Sequence, residues 1–183
     1  TGLRYINSEE IKAIEPETYG VKGLVVPQTG IVDYKVVANK YAEVFQSLGG
    51  ELMFNQKVVA VNAQAHEIQV KTSQQSFTTR LMVNCAGLYS DKVAAMTIPD
   101  LDIKIIPFRG EYYALKHEKR QMVKHLIYPV PDPNFPFLGV HFTRMMRGGV
   151  EAGPNAVLAF KREGYKFLDI SITDMAATLT WPG

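Results

Sequence analysis

Arg109, Glu111 and Tyr113 alternate along the chain, the period that puts side chains on one face of a strand. The planar fork of Arg109 suits a carboxylate, which it can hold through two parallel hydrogen bonds. Tyr113 can donate a hydrogen bond to the same ligand. Two plainer roles compete: an Arg109–Glu111 ion pair and a packing tyrosine. His141 and Thr143 repeat the alternation. An unperturbed imidazole titrates at about pH 6.5, so His141 suits a general base, as it also suits a structural strand histidine. Asn155, inside Gly153-Pro154-Asn155-Ala156, can orient a carboxylate or stabilise a turn. Lys161 and Arg162 offer further cations for an anionic ligand, or an ion-paired segment with Glu163. Ala86-Gly87 follows an apolar run, and glycine at a strand end lets a ligand approach the backbone with no Cβ in the way.

Other chemistries lack their residues. No C-x-x-C pair occurs, and His66, His117, His125 and His141 have no metal-ligand spacing. There is no G-x-S-x-G elbow and no phosphate-cradling loop. The run from Gly148 to Gly153 comes nearest to a dinucleotide fingerprint, but its spacing is wrong and no helical pattern follows. Cys85 is the single cysteine; it reads as a small core hydrophobe, excludes an internal disulfide and fits a reducing compartment. With 20 basic and 18 acidic residues the net charge is +2, which implies no nucleic-acid or membrane field. At 46% hydrophobic and 21% charged residues, disorder is excluded. No run approaches a membrane span, and no signal peptide is visible.

These residues need elements to hold them. Asn7-Ser8-Glu9-Glu10 predicts a helix start, and Pro16 its end. A short strand is expected over 23–27. Asp33 caps a helix whose Val37, Tyr41, Val44 and Leu48 form one apolar face, stopped by Gly49-Gly50. Strands are predicted over 51–54, 58–62, 68–72 and 77–84, with a polar hairpin turn at 73–76. Two of these contain continuous apolar runs (58–61 and 81–83), as in strands covered on both faces. A short helix follows over 90–96. Strands are then expected over 104–108, 110–115, 126–130, 137–142 and 149–152, with a tight turn at 131–134 and a helix over 172–179. Helix and strand alternate before about residue 100, and strands dominate after it. The fold class is therefore α+β, with one region over 1–100 and a mainly antiparallel region over 101–183.

The run HLIYPVPDPNFPFLGVHFTRMMRGGVEAGPNAVLAFKREGY at 125–165 resembles the central region of the L-2-hydroxyglutarate oxidases and dehydrogenases, flavoproteins of the D-amino-acid-oxidase-like superfamily. Pro107-Phe108-Arg109-Gly110-Glu111-Tyr112-Tyr113, Val83-Asn84-Cys85-Ala86-Gly87-Leu88 and Gly30-Ile31-Val32-Asp33 are similar to further stretches of that family. The resemblance implies an α/β FAD-binding layer, partly within 1–100, and a substrate domain on a largely antiparallel sheet. It implies FAD as cofactor, with Ala86 and Gly87 beside its diphosphate and Val58 and Val59 beside its adenine. A small dicarboxylate, L-2-hydroxyglutarate, would be oxidised to 2-oxoglutarate. Arg109, Tyr113, His141 and Asn155 would bind it, with Arg109, Tyr113 and His141 as the catalytic set. The electron acceptor stays open among oxygen, a quinone and an electron-transfer protein. So do an amine or glycerol-phosphate oxidoreductase and a non-catalytic binding module. Family members are about twice as long and open on a glycine-rich nucleotide loop, so the chain reads as the middle piece of a larger enzyme. A bacterial bearer is expected in the cytoplasm or on the inner membrane face, a eukaryotic one in the mitochondrion.

Overall fold

The computed structural model describes residues 2–134 and 139–182. In chain order its elements are β1 (Arg4–Asn7), α1 (Ser8–Ile14), β2 (Lys22–Val25), α2 (Tyr34–Ser47), β3 (Val58–Ala63), β4 (Ile68–Thr72), β5 (Ser76–Thr79), α3 (Ser90–Ala94), β6 (Phe108–Ala114), β7 (His141–Arg144), β8 (Val150–Leu158) and α4 (Ile172–Leu179). Short 3₁₀ turns cover Gly87–Tyr89 and His117–Met122. Helices and antiparallel sheets together make the α+β fold the sequence predicts. The chain divides into two compact units, Thr1–Tyr41 with Arg109–Val157, and Ala42–Phe108 with Leu158–Gly183.

In the first unit, β1 and β2 pair antiparallel with Ile6 opposite Gly23. The helix between them starts where the sequence places it. Asn7 Oδ1 accepts from the Glu10 amide and Glu10 Oε2 accepts from the Asn7 amide, both at 3.0 Å, which satisfies two otherwise orphaned donors. The Asn7 amide, with the Arg4 guanidinium, holds the Glu10 carboxyl below the usual carboxylate range. Asn7→Ala should lower unfolding stability by about 1 kcal/mol, read from urea denaturation. The second sheet has the order β6-β8-β7, so β8 is central. Bonds from Leu115 N to Val150 O and from Ala159 N to Pro107 O set β6 antiparallel to β8. Ile127 adds a two-bond bridge along the outer side of β7. Among the described residues of this unit, the buried apolar ones are Ile6, Val123 and Val150.

In the second unit, β3, β4 and β5 form an antiparallel sheet in sequence order. The buried Thr72 hydroxyl organises the turn at 73–75 by accepting from the Gln74 and Gln75 amides, at 3.2 and 3.0 Å. The first unit's Asp33 caps the start of α2 through Oδ1, which accepts from the Lys35 amide at 3.0 Å. The helix stops at Gly49, whose φ of +87° permits bonds from Gly49 N to Gln46 O and from Gly50 N to Phe45 O. Ser171 caps α4 by accepting from the Asp174 amide.

Several expected strands do not form, for local reasons. Over 51–54 the chain turns instead, with Asn55 at φ +59°. β5 ends at Thr79 because the Thr79 hydroxyl takes the Leu81 amide and donates to the Leu81 carbonyl, competing with a ladder. Along 104–107 the Ile105 amide goes to the Asp91 carboxylate. Within 126–130 only Ile127 is bridged. Part of the expected 137–142 strand lies outside the described residues; its visible end is β7. Val58–Val61 and Leu81–Val83 are not covered on both faces, since Val59, Leu81 and Val83 are exposed. The apolar face of α2 forms as predicted but is also exposed, with Leu48 82% accessible. Cys85 is exposed rather than a core residue, because the segment that carries it is not a strand.

Candidate functional site

Four segments of the β6-β8-β7 sheet bring an aromatic row together. His141 on β7 is paired with Gly153 on β8. The antiparallel bridge Ile127↔Phe142 sets Tyr128 opposite His141 on the other side. Directly opposed residues share a sheet face. The Tyr128 and His141 rings accordingly stack, with centroids 4.3 Å apart and planes 18° apart. On the far side of Gly153 lies the Tyr112 ring, close enough that a β-carbon built on Gly153 would sit 2.6 Å from Tyr112 Cδ1. Tyr128, His141, Gly153 and Tyr112 thus form one row across the sheet. Thr143 lies on the same face and its hydroxyl is 3.4 Å from Tyr128 Oη.

His141 is buried, at 8% exposure, and its protonation pattern follows from its partner. Nδ1 lies 3.0 Å from the Gly139 carbonyl oxygen, which can only accept. Nδ1 therefore carries the proton. In the neutral ring this leaves Nε2 as the basic nitrogen, the arrangement a proton acceptor needs.

The alternation along β6 places Arg109, Glu111 and Tyr113 on the face opposite Tyr112, and so opposite His141. Arg109 donates to Glu111 Oε1 from Nε at 3.0 Å and Nη2 at 2.6 Å. Its plainer role, the ion pair, is the one occupied here. Tyr113 is exposed at the end of this row, and Asn155 is exposed on β8. Strand alternation names His141 and the Arg109 row as candidates, but neither Tyr112 nor Tyr128. The glycines at 110 and 153 were the available signal, since each leaves space for the Tyr112 ring.

The second unit holds the Ala86-Gly87 turn. Asn84 fixes it from both sides: Oδ1 accepts from the Ala86 amide at 3.1 Å, and Nδ2 donates to the Ser90 carbonyl at 2.8 Å. Gly87 has φ +52°, and a β-carbon there would meet nothing within 4 Å. The turn is exposed, so a diphosphate can reach its backbone. The β3–β4 ladder shifts register between Val58 and Ala60, which leaves Val59 out of the pairing.

Behind the turn sits a buried ion pair. The Arg162 and Asp91 side chains are 5% and 7% exposed, and the two carboxylate oxygens accept from Nη1 and Nη2 at 2.6 and 2.5 Å. Arg162 Nη1 also reaches the Leu88 carbonyl, next to Gly87. Burial pushes the Asp91 carboxyl up, but donors from Arg162, Ile105 and Lys92 outweigh it and hold the group below its ordinary range. The Arg162 amide and Lys92 ammonium do the same for Asp174. Partial burial, with the Glu163 carboxylate, pushes the Tyr89 phenol up. Arg162 is thus a structural cation rather than a free one for substrate. A cleft of about 230 Å³ opens beside this pair, walled by Lys104, Ile105 and Trp181; of the residues singled out from the sequence, Arg162 alone lines it, through its ion-paired side chain.

Residues 1–179 match the family described as FAD dependent oxidoreductase. The chain is 62% identical over 183 residues to an L-2-hydroxyglutarate dehydrogenase of Indibacter alkaliphilus, covering 100% of this chain and 46% of that protein. It is 45% identical over 186 residues to the mitochondrial L-2-hydroxyglutarate dehydrogenase of Homo sapiens, covering 95% and 40%. With the L-2-hydroxyglutarate dehydrogenase of Escherichia coli K12 it shares 44% identity over 171 residues, covering 93% and 40%. The chain therefore spans less than half the length of these relatives.

Proposed function

The chain belongs to the FAD dependent oxidoreductase family, and from that membership we propose that the protein carrying it oxidises L-2-hydroxyglutarate to 2-oxoglutarate. The substrate follows the printed names of its relatives. Ala86, Gly87, Val58 and Val59 would hold FAD, the first two at the diphosphate and the valines at the adenine. When bound, FAD supplies acceptance of a hydride from the carbon bearing the hydroxyl. The single observation that carries the reading is the His141 tautomer. With Nδ1–H given to Gly139, Nε2 is the atom that takes the hydroxyl proton. Tyr128 stacks on the His141 ring, and Tyr112 lies beyond Gly153 in the same row. The unit with Ala86 and Gly87 is then the flavin side, and the unit with the β6-β8-β7 sheet the substrate side.

A second reading keeps Arg109 and Tyr113 as substrate ligands, with Asn155 beside them. What supports it is that Arg109 Nε and Nη2 already converge on one carboxylate oxygen, Glu111 Oε1. A substrate carboxylate would then replace Glu111. Arg109→Lys separates the two: KM stays within about threefold if the pair is structural, and rises about tenfold or more if Arg109 grips substrate.

The reaction itself is tested on the flavin-loaded enzyme under anaerobic conditions. L-2-hydroxyglutarate should bleach the flavin absorbance. Turnover of glycine or glycerol 3-phosphate without reaction of L-2-hydroxyglutarate would overturn the assignment, and protein that takes up no flavin would indicate a binding module. The electron acceptor is a quinone, oxygen or an electron-transfer protein. No helix among the described residues is long and apolar enough to cross a membrane. A eukaryotic bearer would be mitochondrial, as the name of the human relative reads; a bacterial one would sit in the cytoplasm or on the inner membrane face.

A further inference from the structure

Glu15 is a buried carboxylate with no place in the reading so far. It follows the last turn of α1, directly before Pro16, and is 5% exposed. An isolated buried carboxylate is costly, so its partners define its purpose. The hydrogen bonds to its side chain come from two consecutive residues more than a hundred positions away. The Lys124 amide donates to Oε1 and Oε2 at 3.1 and 3.0 Å. The His125 amide and His125 Nδ1 donate to Oε1 at 2.6 and 2.8 Å. The same strap is gripped one residue earlier, where Arg144 Nη1 donates to the Val123 carbonyl at 2.6 Å. Two residues later comes the Ile127 bridge, and then Tyr128, whose ring stacks on His141.

From this geometry we infer that Glu15 is a positioning residue: by anchoring the main chain at Lys124 and His125, it holds Tyr128 against His141 and fixes the tautomer that leaves Nε2 basic. The inference rests on the reading of His141 as the base. It does not need the His125 imidazole, since the two backbone amides suffice to anchor the strap. A neutral amide in place of the carboxylate would turn an NH₂ toward those N–H donors and release it.

The test uses the flavin-loaded enzyme. Glu15→Gln should lower kcat about 100-fold with little change in KM, because the reacting groups are misplaced by a fraction of an ångström to an ångström. The two ring-nitrogen resonances of His141, read by NMR with labelled histidine, should move toward a mixture of tautomers. Glu15→Asp, which keeps the charge but shortens the reach, should move both readouts in the same direction by less. It also keeps the test open if Glu15→Gln fails to fold. Unchanged His141 resonances in a folded Glu15 variant would overturn the inference. So would a His125→Ala variant that reproduces the full loss, because the imidazole would then be the acting group. Failure of the base assignment looks different: His141→Gln would keep full turnover, while Glu15→Gln still shifted the resonances.

Discussion

Arg162→Met should lose about 3–5 kcal/mol of unfolding free energy, because it strands the Asp91 carboxylate in a buried site. That is a large part of the 5–15 kcal/mol, roughly, that holds a folded protein together. The Asp91 oxygens would keep only the Ile105 and Lys92 amides, and the Leu88 carbonyl would lose its guanidinium partner. Denaturant unfolding measures the loss. The double variant Arg162→Met, Asp91→Leu removes both charges and should recover most of it; a double variant as unstable as the single one would mean the loss lies in packing rather than charge. Acid probes the same pair from the other side. Folded Asp91 and Asp174 titrate below their unfolded values. Their stabilisation is therefore complete above the ordinary aspartate range and drains away as pH falls through the depressed folded values. Wild type should soften in that acid window, and the Arg162→Met variant should show less of this dependence.

The second large effect is catalytic. His141→Gln should lower kcat by about 10²–10⁴, the usual worth of a positioned general base. Glutamine can still donate to the Gly139 carbonyl and fill most of the imidazole volume, so the fold should survive. What it cannot do is take a proton. A His141→Gln variant with unchanged kcat would remove His141 from the mechanism, leaving the Arg109 row as the place to look.

What the sequence made legible was local. The helix start at Asn7 to Glu10, the Asp33 cap, the Gly49 stop and the β4–β5 hairpin each depend on neighbours within a few residues, and each forms as read. Coverage was not legible. Tyr41, Leu48, Leu81 and Val83 have the periodicity or run length of buried residues, yet all are exposed, because a pattern states which face is apolar and not whether anything lies against it. Within the candidate site, alternation grouped Arg109 with Glu111 and Tyr113 correctly. It could not say which face of the sheet they share, since that depends on the register of β6, β7 and β8 together. Tyr128 and Glu15 were invisible for the same reason: their partners lie 13 and about 110 positions away, and only the assembled sheet brings them in.

The missing side chain at position 153 also constrains what changes this protein can accept. A methyl group there would press on the Tyr112 ring and come within 2.9 Å of the Glu111 carbonyl oxygen. A ring can swing away; a strand's own carbonyl cannot move without breaking its ladder. Mutational drift at this position is therefore closed even to alanine, whereas trimming the ring at Tyr112 opens space without disturbing the backbone.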